Sequence, residues 1–112
     1  MRIAGAAGIF VANAIWRVTG LRIAGRVLLR ALGSGDETVR TLAGMFLVKA
    51  GSQSIPILEE AIKRRDNLPV VFTILGDIGD RRFITDLHLF SEDRDPEVAQ
   101  AARHALRMLN VH

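Results

Sequence analysis

Apolar positions along this chain recur at helical spacing. Leu42, Ala43, Phe46 and Leu47 form one such run, Val70, Val71, Ile74 and Leu75 a second, and Val98, Ala101, Ala102, Ala105 and Leu106 a third. Each pattern steps by three and four residues, the mark of a helix with one buried face. No stretch alternates apolar and polar residues for long enough to predict a strand. Each run follows an aspartate, at Asp36, Asp66 and Asp95. The resulting period of about 30 residues lies in the range of helical repeats. Second segments, Ser54–Ile62 and Arg81–Leu87, fall between them. Each unit therefore reads as helix, Gly-containing turn, helix and Asp-led turn.

Local chemistry agrees with this reading. Asp95 before Pro96 is an N-cap followed by proline at the first helical position, where a missing N–H costs nothing. Ser34 and Glu37 have capping-box spacing, and Ser54 before Ile55-Pro56 reads as the start of another helix. The stretch Leu75-Gly76-Asp77-Ile78-Gly79-Asp80 reads as the joint between two helices. Glu59 with Lys63 and Glu60 with Arg64 have the favourable i,i+4 order on a solvated face. In the 30-residue register, Arg30 falls beside Glu60 and Lys63 near Glu92.

The chain resembles the HEAT family, in the short form noted in phycobilisome lyases. The resemblance rests on Asp36, Val39, Arg40, Ala43, Leu47 and Gly51, then on Val71, Leu75, Gly76, Ile78, Gly79 and Asp80. It continues through Asp95, Pro96, Val98, Ala101, Ala102, Ala105 and Leu106. It covers roughly residues 34–109 and implies an all-α solenoid of about three and a half helical hairpins. The last unit would lack its second helix. Because the matching positions are core and turn positions, the resemblance implies little about activity beyond a role as an accessory to a cofactor lyase.

Residues 1–33 form a separate segment, a degenerate first repeat with helices at about 3–18 and 21–32 divided near Thr19-Gly20; residues 34–112 hold the HEAT-like repeats. No acidic residue precedes Asp36. The second helix places Arg22, Arg26 and Arg30 on one face. The first is the anomaly, because Ile3, Ile9, Phe10, Val11, Ile15, Trp16 and Val18 are distributed around it, with Asn13 and Arg17 as a polar edge. A terminal repeat should present a polar outer face. Such a helix needs cover from a membrane, another subunit or a second copy. The uncharged run from Ile3 to Trp16 would extend about 21 Å, short of a hydrocarbon core of about 30 Å, so a surface helix is favoured over a span. Trp16 beside Arg17 resembles an interfacial anchor. A signal peptide is the competing reading, with Ala12-Asn13-Ala14 as its A-x-A site, but its charged leader would be only Met1-Arg2.

Composition narrows the chemistry. The 112 residues are 49% hydrophobic but only 5% aromatic, which predicts an aliphatic, alanine-rich interior. Cysteine is absent, which removes disulfides, thiolate metal sites and cysteine nucleophiles together. His88, His104 and His112 have no ligand spacing. Asp77 and Asp80 read as turn and cap residues, and the turn serines have no neighbouring histidine base. Gly76 and Gly79 do not follow a strand, so a phosphate loop is not indicated. No enzyme and no cofactor or metal are therefore expected.

The expected role is that of a non-enzymatic scaffold or accessory subunit in the cytoplasm or at the membrane periphery. It would dock through the apolar first helix to a protein assembly, with homo-oligomers through that helix as a variant. Arg22, Arg26, Arg30, Lys63, Arg64, Arg81 and Arg82 would line the ridge of second helices. Nucleic-acid binding through those arginines is the alternative, disfavoured because the 15 basic and 12 acidic residues are mostly intermixed and stacking aromatics are few.

Overall fold

In the computed structural model, which describes residues 5–110, seven α-helices and two short 3₁₀ turns follow one another. There is no strand among the described residues. The helices are α1 (Ala6–Thr19), α2 (Arg22–Ala31), α3 (Glu37–Ala50), α4 (Ile55–Arg64), α5 (Leu68–Ile78), α6 (Ile84–Phe90) and α7 (Pro96–Met108). They form two packing units, residues 1–60 and 61–112, with the division inside α4. In the first unit α1 packs on α2, and both pack on α3. In the second, α7 packs against α5 and α6.

Apolar spacing sets the inward faces. Ile9, Ala12 and Trp16 are the buried residues of α1, and Leu68, Val71, Phe72 and Leu75 are buried on α5. Alanines 99, 102 and 105 are buried on α7, and Gly76 on α5 faces it. A methyl group on Gly76 would lie 2.8 Å from Met108 Sδ and 3.5 Å from Ala105 Cα, so α5 and α7 pack closely there and a side chain would have to displace Met108. Each fully buried Leu, Ile or Phe contributes about 1.5–3 kcal/mol by leaving water.

The turns show which polar residues do the capping. Asp36 caps α3, accepting from Thr38 N–H at 2.8 Å, while Ser34 Oγ accepts from Asp36 N–H at 3.1 Å. The cap is thus Asp36 rather than the predicted Ser34 box, because its shorter lead places the carboxylate over the orphan amides. Ser54 closes a 3₁₀ turn and is buried, donating from Oγ to Leu47 C=O at 2.6 Å. Its hydroxyl satisfies the end of α3, and α4 begins directly after it at Ile55, where the sequence predicts a helix start. Asn67, not Asp66, holds the N-cap position of α5 in left-handed conformation (φ 49°), a region asparagine tolerates. Asp95 and Pro96 start α7 as their sequence predicts.

The Leu75–Asp80 stretch is a joint only in its last two residues. Helix α5 continues through Ile78, Gly79 takes the left-handed C-cap (φ 79°), and Asp80 caps the following turn through Arg82 N–H. Gly76 and Asp77 are helical, and Gly76 lies against Met108 and Ala105 of α7 rather than in a turn.

Candidate functional site

The first helix divides its apolar residues between interior and solvent. Ile9 and Trp16 are fully packed, at 0% and 2% exposure. Trp16 fits a notch made by Gly25 of α2, where an added Cβ would come 2.8 Å from Trp16 Nε1 and 2.1 Å from Ile57 Cδ1. Gln53 Nε2 donates to the Trp16 carbonyl at 2.7 Å. Trp16 is therefore a core residue. It cannot act as an interfacial anchor in this arrangement, and neither can Ile9 face a partner. Ile3 lies outside the described residues, as does His112.

The opposite face is open. Val11 and Val18 are 58% and 86% exposed, and Phe10 and Ile15 are exposed beside them. Ala7 and Ala14 are also exposed and complete the stripe 7, 11, 14, 18, a helical step of four, three and four. The exposed apolar run passes the turn at Gly20 into Leu21 and Ile23. Gly20 has φ 72°, so a side chain there would strain the turn. The Phe10 ring meets that of Phe46 edge-on at 5.2 Å. Asn13, read from sequence as a polar edge, is half-buried, with an Oδ1 that finds no hydrogen bond among the described residues.

The basic candidates are disposed in several ways. Arg26 makes a two-pronged pair with Glu60, Nε to Oε2 and Nη2 to Oε1, both at 3.0 Å. The Glu60 hydrogen bond and charge raise the already high Arg26 pKa. Arg22 reaches the same carboxylate at 3.6 Å. Glu60 thus meets Arg26 and Arg22, one and two helical turns before the Arg30 that the repeat register gave it. Arg30 stands exposed, as do Lys63 and Arg64 at the end of α4. Arg81 donates to the Leu109 carbonyl, and Arg82 Nε pairs with Asp80 at 3.1 Å. Of the seven candidate ridge cations, four are held by partners within their own unit. Near α6 the ion pair is Arg65 with Asp93 at 3.0 Å, two residues beyond the expected Lys63 and one beyond the expected Glu92, with Arg65 also over the Phe90 ring.

Chemistry-bearing clusters are sparse. Among the described residues, no three His, Asp or Glu side chains gather as a metal site. An open groove of about 350 Å³ lies along α7 beside Pro69, lined by Glu97, Gln100, Ala101, His104 and Arg107. It brings together one imidazole, one carboxylate and one guanidinium. Sequence reasoning placed His104 on a helix without seeing this groove, which depends on where Pro69 packs. No helix among the described residues is long and apolar enough to cross a membrane. Neither a protein-family model, nor a curated protein, nor a solved structure matches the chain.

Proposed function

We propose that the protein is a non-enzymatic interaction module, a scaffold or accessory subunit built as a short HEAT-like solenoid of about three and a half hairpins. It docks through the outer face of α1 onto a membrane-associated or multi-subunit assembly in the cytoplasm. Support for the repeat reading comes from the helix order, in which α1 packs on α3 and α5 on α7. That is the first helix of one hairpin against the first of the next, as stacked repeats require.

The observation that carries the docking role is the open stripe of α1, centred on Val11 and Val18 and paired with a fully packed inner face. A helix already anchored by Ile9 and Trp16 can offer its outer side without loosening the fold. The alternative, phosphate binding along α2, is weakened because Arg22 and Arg26 are engaged by Glu60. An accessory role beside a cofactor lyase rests on resemblance alone.

Co-fractionation of the native protein tests the docking role, using the combined substitution Val11→Gln, Ile15→Gln and Val18→Gln. The wild-type chain is expected in membrane or high-mass fractions, and the variant, still helical, in low-mass soluble ones. Identical fractionation of the two proteins would sink the reading.

A further inference from the structure

The open face of α1 admits three kinds of cover, and its size and charge separate them. The strip on α1 is about 21 Å long and 10 Å wide, or roughly 200 Å² in projection, and Leu21 and Ile23 extend it only a little past Gly20. A stable dimer buries about 800 Å² on each partner. Two copies meeting through this strip would also bring like charges together, because a two-fold interface repeats each residue on both sides. Residues 1–35 contain Arg2, Arg17, Arg22, Arg26 and Arg30 and no carboxylate. The whole net charge of +3 belongs to residues 1–60, with seven basic and four acidic residues against eight of each in 61–112. Arg17 closes the last turn of α1 beside the stripe and is exposed.

An apolar strip too small for a dimer, too short for a span and edged with arginine matches the polar–apolar boundary of a bilayer carrying negative headgroups. We propose that the protein lies on anionic lipid surfaces, with Val11, Ile15 and Val18 entering the acyl boundary while Arg17 meets headgroup phosphates. The inference rests on the reading of α1 as a docking element and names what it docks to. Ile9 and Trp16 stay in the protein interior throughout, so binding requires no opening of the first unit.

The test is sedimentation of the purified full-length chain with phosphatidylglycerol–phosphatidylcholine vesicles and with pure phosphatidylcholine vesicles. The wild-type protein is expected to pellet with the first far more than with the second, and less as salt rises. The Val11→Gln, Ile15→Gln, Val18→Gln variant should lose binding by about a thousandfold, at about tenfold per buried aliphatic side chain. Arg17→Gln should lose about fivefold. Absence of wild-type binding, equal binding to both vesicles, or full binding by the triple variant would each overturn the proposal. So would a wild-type dimer that the triple substitution converts to monomer without any vesicle binding. If vesicles fail while native co-fractionation still depends on the same three residues, the bilayer inference falls and the docking role stands.

Discussion

At the residue scale, the most consequential side chain is one that is missing. Gly25 leaves the space into which Trp16 and Ile57 pack, and glycine costs about 1 kcal/mol of helix propensity there. Replacing it with alanine recovers that propensity but drives a methyl group against the rigid indole. Overpacking of this kind costs typically about 1–3 kcal/mol. Gly25→Ala is therefore expected to destabilise the protein by about 1 kcal/mol net, measured as a lower denaturant midpoint. A neutral or raised midpoint would mean that the notch is loosely filled. The sequence shows Gly25 only as one of ten glycines, with nothing to mark it as a packing position. Its role depends on α4 arriving more than 25 residues later, which helical periodicity does not encode.

At the scale of elements, the boundaries follow from caps and the caps from short polar side chains. Asp95 and Pro96 are legible in sequence because an N-cap carboxylate followed by a first-turn proline, ahead of a helical apolar run, together point to a helix start. Ser34 and Asp36 compete for the same role, and the geometry of the turn, not residue type, awards it to Asp36. Asp93 has a related role in the link before α7. It accepts from the Asp95 N–H at 3.0 Å and pairs with Arg65, and both hold its carboxyl below the ordinary range, the amide contributing most. A folded-state pKa below the unfolded one means stability that is present above the ordinary carboxylate range and lost as pH falls through the folded value. Asp93→Asn should therefore lower the melting temperature most at neutral pH, with the gap closing on acidification. A gap that does not change with pH would remove the carboxylate as its source.

At the scale of the whole molecule, all-helical architecture was legible because three apolar runs share a period and a leading aspartate. The division of α1 into two faces was not. Its apolar residues surround the helix, so the hydrophobic pattern gives no direction, and only packing on α2 and α3 decides that Ile9 and Trp16 turn inward. Removing residues 1–18 is consequently no mere removal of a docking strip, since it strips Ile9, Ala12 and Trp16 from the core of the first unit. Hydrogen exchange of the truncated chain is expected to show lost protection in α2 and α3, with α5 and α7 amides still protected by their own packing. Uniform protection throughout would mean that α1 contributes little to that core.

The buried position of Trp16 also fixes what light can report about this protein. The chain has one tryptophan and no tyrosine, so essentially all emission excited near 295 nm comes from an indole packed at Gly25 beside Ile57, on a residue whose backbone carbonyl accepts from Gln53. Intrinsic fluorescence therefore follows the unfolding of residues 1–60 and is silent on residues 61–112, whereas circular dichroism follows the helices of both. Overlaid melting curves from the two probes would measure how far the halves of the chain unfold together.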